Sequence, residues 1–245
     1  MTITLPPDNL AFAWARLGVA FNSPPAKHTP DVERLLLETA VELGENARLF
    51  PLIVTWLYQY GEFVARHRLR RLLIAELPAV HQPALGLLLD SAIHHGAAAE
   101  LAIVCDACSP ALEPAPLFRS HRSSPELRDL AARTASDLSR RWGLHAPEVQ
   151  LKPDAIRPVA WLLGQNPSLR SRIIRRGDLR ASILETLRID FKGWVRSESE
   201  LARLTGATRP AVRHALRSLI LEGEVTIGTH PENHRDHPVS LTSAA

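Results

Sequence analysis

Cysteine and methionine are almost missing from this 245-residue chain, which has two cysteines, Cys105 and Cys108, and a single methionine. Two cysteines cannot build the framework of bridges on which small secreted domains depend, so a reducing compartment is expected. Lysine is scarce too, since 26 of the 29 basic residues are arginine, a bias that a GC-rich genome explains as readily as a need for forked hydrogen bonds. No apolar run reaches membrane-spanning length, because arginine, glutamate, histidine or proline interrupts each one. The opening MTITLPPDNLAFAWARLG has neither a basic leader nor a cleavage-like site, so the expectation is a cytoplasmic protein without a membrane partner. Catalytic signatures are also lacking: there is no P-loop, GxGxxG, GxSxG or HExxH. Glu198 and Glu200 read as helix-start residues favoured by the helix dipole rather than as an acid–base couple. Neither an enzymatic activity nor a cofactor is expected.

Charge of one sign is not abundant either, with 29 basic against 26 acidic residues, but it is unevenly placed. Residues 152–245 hold 15 basic and 10 acidic, a net of +5, whereas residues 1–151 hold 14 and 16, a net of −2. A local excess of this size suits a protein that reads DNA sequence better than one that coats DNA through phosphate contacts alone.

What the chain does have is helical periodicity. Asp8 caps a first helix, Asn9 to Ala20, with Leu10, Trp14 and Leu17 on one face. Thr29, with Pro30 in the first turn, opens a second whose apolar positions Val32, Leu35, Leu36, Ala40 and Leu43 repeat up to Gly44. Further helices are expected over residues 49–60, 62–77, 83–94 and 97–108, joined by short links that make antiparallel neighbours. A HEAT-like array is one arrangement open to them, although the sequence has no fixed period. Residues 109–124, punctuated by Pro110, Pro114 and Pro116, read as an exposed loop. Ser124 and Pro125 then open a single helix to Trp142, with Leu127, Leu130, Ala131, Thr134 and Leu138 inward. After a helix from Pro153 to Leu163, Asn166 and Pro167 start a basic helix ending at Gly177, whose Arg170, Arg172, Arg175 and Arg176 either reach phosphates flanking the recognition helix or belong to a solvated linker helix.

Cys105 and Cys108 form a CxxC with His94, His95 and His121 near in sequence, the raw material of a zinc site. With no second CxxC, and both cysteines on an apolar helix, core packing is the preferred reading, and these two are weak metal candidates only.

The strongest functional signal lies in LARLTGATRPAVRHALRSLILEGEV, from Leu201 to Val225. Ser197 caps a short helix to Thr205, with Glu200 placed to return the bond, and Gly206 turns the chain. Thr208 caps a second helix, Thr208 to Leu221, in which Pro210 suits the first turn and Val212, Ala215, Leu216, Leu219 and Ile220 form the apolar face. At 100° per residue Pro210, Arg213, His214 and Arg217 fall on the opposite side, with Arg209 at the N-terminal end. Such a helix can enter the major groove, where arginine forks match guanine O6 and N7, or phosphate oxygens flanking the groove. Strands are expected at 224–229 and 239–241 around a polar wing at 229–238, with Trp194 to Arg196 as a third strand after a helix from Leu179 to Ile189. In the wing, His230, His234 and His237 have spacing open to a metal but read more simply as a polar tip whose His234 and Arg235 meet the minor groove or a phosphate.

The run Thr208-Arg209-Pro210-Ala211-Val212-Arg213-His214-Ala215-Leu216, followed by Leu219 and Glu222-Gly223-Glu224-Val225, resembles the winged helix-turn-helix of GntR-type regulators, and more loosely MarR-type ones. Arg209 and Arg213 match that family's two arginine positions. The resemblance covers about the last 65 residues. It departs from the usual GntR layout, in which the DNA-binding domain comes first.

The expected fold is therefore mainly α: an all-helical domain over 1–165, for dimerisation or partner docking, and a winged helix-turn-helix domain over 166–245 with its preceding basic helix. The expected function is sequence-specific binding of double-stranded DNA as a transcriptional regulator. A homodimer is expected because one winged helix reads few base pairs, with half-sites about 10 base pairs apart or a multiple of that. The alternative is a non-enzymatic adaptor subunit of a larger assembly, docked through the helical domain, with acids or apolar residues beside Arg213 and Arg217.

Overall fold

The computed structural model describes residues 7–21, 23–228 and 237–242. The chain is mainly helical and divides into two compact units, one of residues 1–61 and 72–170, the other of residues 62–71 and 171–245. In chain order the helices begin with α1 (Pro7–Arg16), α2 (Val32–Glu42), α3 (Leu49–Tyr60), α4 (Arg66–Glu76), α5 (Gln82–His94) and α6 (Ala102–Cys105). A two-residue strand β1 (Ala115–Pro116) follows, then α7 (Pro125–Thr134), α8 (Asp137–Arg141), β2 (Leu144–His145) and α9 (Val159–Gln165). Among the described residues no helix is long and apolar enough to cross a membrane.

In the first unit α5 is the central element, packing against α2, α3, α6 and α8. Its sequence QPALGLLLDSAIH and that of α3, LFPLIVTWLYQY, are apolar nearly all round, the pattern of helices buried on several sides. Gly86 lies where the Trp142 indole rests on α5, so that a Cβ there would come within 2.3 Å of the ring. Trp14 and Trp56 are fully buried and meet edge to face at 5.3 Å. Burying an indole N–H without a partner would be costly. Trp14 Nε1 donates to Thr39 Oγ1 at 2.9 Å and Trp56 Nε1 to the Leu17 carbonyl at 2.9 Å.

Several expectations for this unit need correction. The cap of α2 is Asp31 rather than Thr29, its carboxylate accepting from the Arg34 N–H. Residues 97–108 make only a 3-10 turn and the short α6. Residues 109–124 are largely exposed, as expected, but not wholly a loop: β1 pairs in parallel with β2, and the adjoining Leu117 and Phe118 are buried. The helix foreseen to Trp142 is broken, because Ala135 is extended and Ser136 starts α8 as a new cap, its hydroxyl accepting from the Ser139 N–H. Ala131 faces inward as foreseen, but Leu127 and Leu130 are exposed.

The second unit continues with α10 (Arg170–Arg175), whose first residue is counted with the first unit, and α11 (Leu179–Glu185), which runs on as a π turn over Thr186–Asp190. Then come β3 (Trp194–Val195), α12 (Glu198–Thr205), α13 (Arg209–Leu221), β4 (Val225–Ile227) and β5 (Val239–Leu241). The strands form one antiparallel sheet in the order β3-β5-β4. Ile183, Leu184, Leu187, Val195, Leu201, Val212, Leu216, Leu219, Val225 and Val239 make its core. Ile220, expected in the apolar face of α13, is 40% exposed. At 100° per residue it falls beside Arg209 and Arg213, away from Val212 and Leu219.

Residues 62–71 are counted with this unit, although α4, expected as part of one helix over residues 62–77, runs unbroken from Arg66 to Glu76. Arg68 is wholly buried and donates twice to the carboxylate of Asp190, at 3.0 and 2.9 Å, and Arg71 reaches the same group. Arg172 is likewise buried, donating to Glu185 at 2.8 Å and to the Phe63 carbonyl at 2.9 Å. Gly177, at φ +62°, approaches the same segment so closely that a Cβ would lie 2.1 Å from the Val64 carbonyl oxygen.

Removing one member of a buried ion pair strands the other, at a cost of about 3–5 kcal/mol. Asp190→Ala should lower unfolding free energy by that order in urea denaturation; an unchanged midpoint would mean that Arg68 finds its neutralisation elsewhere. A second expectation concerns Glu38 in α2, whose carboxyl is pushed up to about 7 by burial and the nearby Asp31 charge, against the opposing charge of Arg34. The folded chain therefore holds this proton more tightly than the unfolded one. The stability it contributes is full below the ordinary value of 4.5 and is lost as pH rises through about 7. Glu38→Gln should flatten that decline in thermal melts across the range, and parallel curves for variant and parent would contradict it.

Candidate nucleic-acid interface

Capping and one turn set the geometry of α12 and α13. The Ser197 hydroxyl accepts from the Glu200 N–H at 3.2 Å, and Glu200 returns a bond to the Arg196 N–H at 2.9 Å, one residue earlier than a capping box requires. Helix α12 stops at Gly206, which is left-handed at φ +64°, a conformation that glycine adopts without strain. Thr208 then accepts from the Ala211 N–H to cap α13, with Pro210 in the first turn. Val212, Ala215, Leu216 and Leu219 are buried, which leaves Thr208, Arg209, Pro210, Arg213, His214 and Arg217 all exposed.

The electrostatics of this surface follow from how the acids are used. Every described acidic residue of the second unit lies within ion-pair distance of an arginine: Glu62, Asp178, Glu185, Asp190, Glu198, Glu200, Glu222 and Glu224. Among the described residues, no acid stands within that distance of Arg209 or Arg217. Arg213 differs, because its Nε donates to Glu198 Oε1 at 3.0 Å, with side chains 60% and 26% exposed. Glu198 is the first residue of α12, and the sequence reading had missed this partnership by treating it as a helix-start charge alone.

Other foreseen contacts fall elsewhere. Arg175 is only 5% exposed, and its guanidinium is taken up by Glu222 and, at 3.0 Å, by Glu224. It is a structural brace between α10 and the end of α13, not a phosphate contact. Burial alone would raise the Glu222 carboxyl, but the bonds from Arg175 and Ser218 and the charges of Arg175 and Arg180 hold it below the usual range. Arg176 is exposed, with a left-handed backbone at φ +44°, and stands 3.9 Å from Glu62. The wing residues His230, His234 and Arg235 lie outside the described residues. Just beyond the paired residues of β4 and β5 the Gly228 N–H donates to the Pro238 carbonyl at 2.9 Å, and His237 is exposed.

Sequence periodicity also gave no sign that residues 66–70 approach the turn between α12 and α13. Arg70 Nη1 would lie 3.3 Å from a Cβ on Gly206. The His67 ring is pushed below the ordinary imidazole range by burial and by Arg66 and Arg70, against a bond to the Thr205 backbone and the Asp178 charge.

Cys105 and Cys108 lie in the first unit, each thiol donating to a backbone carbonyl, of Gly86 and Val104 respectively. Burial pushes both thiols up to about 12, the reverse of what a metal ligand or nucleophile requires. Among the described residues no three His, Cys, Asp or Glu side chains gather as a metal site.

No protein-family model matches the chain, and neither a curated protein nor a solved structure matches it.

Arg175 and Arg176 give a paired test of the assignments above. Arg175→Ala should cost about 1.5–3 kcal/mol of stability by removing charge-assisted bonds, whereas Arg176→Ala should change it by less than about 0.5 kcal/mol. Equal melting temperatures for the two variants would contradict the brace.

Proposed function

We propose that the second unit is a winged helix-turn-helix that binds double-stranded DNA by sequence, with α13 in the major groove and the hairpin at 229–238 as the wing. The order helix, strand, helix, helix, strand, strand and the three-stranded sheet support this reading, as does the resemblance of residues 208–225 to GntR-type regulators. One observation carries it furthest. In a unit whose described carboxylates are all engaged by arginines, Arg209 and Arg217 stand on an exposed helix face with no described acid in reach. Unneutralised arginines at such positions attract an anion, and a regular array of phosphates flanks the major groove. In this reading the protein is a non-enzymatic transcriptional regulator, and the first unit supplies the contact of a homodimer on an inverted repeat.

A second reading makes the chain an adaptor whose second unit docks a protein. It draws support from the carboxylate beside Arg213 and from the exposure of Ile220 and Leu221, at 40% and 89%, towards the end of the same helix.

Salt dependence separates the two. Removing one arginine that neutralises a phosphate should reduce the slope of log K against log salt by about 1. Arg209→Ala and Arg217→Ala should each do so in fluorescence anisotropy on duplex DNA, with melting temperatures unchanged. If both variants keep the parental slope and affinity, the DNA reading fails and the adaptor reading takes its place.

A further inference from the structure

The pairing of Arg213 with Glu198 bears on what kind of DNA feature this position recognises, and the inference rests on the DNA reading above. A phosphate offers acceptors only, and a carboxylate 3.0 Å from the guanidinium would repel it. A guanine–cytosine pair offers something different along its major-groove edge: two acceptors, guanine N7 and O6, and then one donor, cytosine N4. An arginine beside a carboxylate presents the complement, two donors and one acceptor. An adenine–thymine pair, with acceptor, donor and acceptor in turn, does not match it.

Two features of the geometry favour such a use. The bond to Glu198 occupies Arg213 Nε and Glu198 Oε1, and no described residue holds the Nη groups of Arg213 or Oε2 of Glu198. The terminal fork and one carboxylate oxygen thus stay available while the bond between the two residues restricts both side chains. The pair also joins the first residue of α12 to the first half of α13, so the guanidinium is anchored from a second helix rather than swinging on its own stem.

We propose that Arg213 and Glu198 act as one base-reading unit for a single guanine–cytosine pair, Arg213 donating to guanine O6 and N7 and Glu198 accepting from cytosine N4. Arg209 and Arg217, with no acid among the described residues in reach, are the phosphate contacts. Glu198 is in this sense a specificity-determining residue, and the preferred DNA carries a fixed guanine–cytosine pair at the position facing it.

The test is selection from a randomised duplex library by the full chain, the Arg213→Ala variant and the Glu198→Gln variant, each first checked by thermal melting. The parent should enrich a motif with a fixed guanine–cytosine position, and Arg213→Ala should lose the preference there about tenfold or more while keeping flanking positions. Glutamine keeps the shape and an acceptor but adds a donor. Glu198→Gln should therefore relax that one position toward adenine–thymine while its binding to random duplex stays equal or rises, because a negative charge is gone. A purely structural ion pair would move melting temperature and leave base preference alone. If the parent enriches a motif and both variants keep the same preference, the base-reading unit is wrong and the DNA reading stands; if the parent enriches nothing, the DNA reading itself falls.

Discussion

The second unit is built around a carboxylate that water barely reaches. Asp190 is 5% exposed and shares its two oxygens between Arg68, which is fully buried, and Arg71. An isolated charge at such a depth would be untenable, so the position of the π turn that ends at Asp190 and the position of residues 66–71 are conditions of each other. The same segment is tied a second time by Arg172, which spans Glu185 and the Phe63 carbonyl, and a third time by the close approach of Gly177 to Val64. These contacts make the C-terminal core discontinuous in sequence. Helices α12 and α13 are packed on α11, the sheet is packed on the π turn that continues it, and both are held by a stretch that lies far earlier in the chain.

That discontinuity marks the boundary of what the sequence made legible. Periodicity identified α3 to the residue and β5 to the residue, and it placed α13 and its cap, because in each the local pattern and the tertiary environment agree. It failed where a side chain competed locally with the helix. Ser136 restarted a helix that apolar spacing alone would have run through to Trp142, and Asp31 took the cap expected of Thr29. It failed also where burial came from pairing far along the chain, as for Leu117 and Phe118 beside the short parallel strands. No pattern within residues 62–77 distinguishes a helix that serves one core from one whose first part serves another.

The candidate site was legible as a face but not as a charge pattern. Arg209, Arg213, His214 and Arg217 share the exposed side of α13 because the apolar positions leave them no other side. Which of these arginines are neutralised depends on partners set by the fold. Arg213 meets Glu198 across the turn between two helices, and Arg175 meets Glu222 and Glu224, which a reading of basic runs would leave unpaired. An arginine count therefore overstates the basic ground, and the distribution of carboxylates decides where it lies: on α13 it narrows to Arg209 and Arg217, with Arg213 in a mixed pair.

The central claim is that this surface recognises a DNA sequence. The most direct measurement is recovery of sheared genomic DNA by the intact protein at a low and a near-physiological salt concentration, followed by sequencing of what is bound. The account predicts one shared motif, enriched at both concentrations and more sharply at the higher one, because phosphate-driven binding to random sequence weakens steeply with salt. Recovery that simply tracks the input DNA, or that vanishes at the higher salt with no motif at the lower, would contradict it.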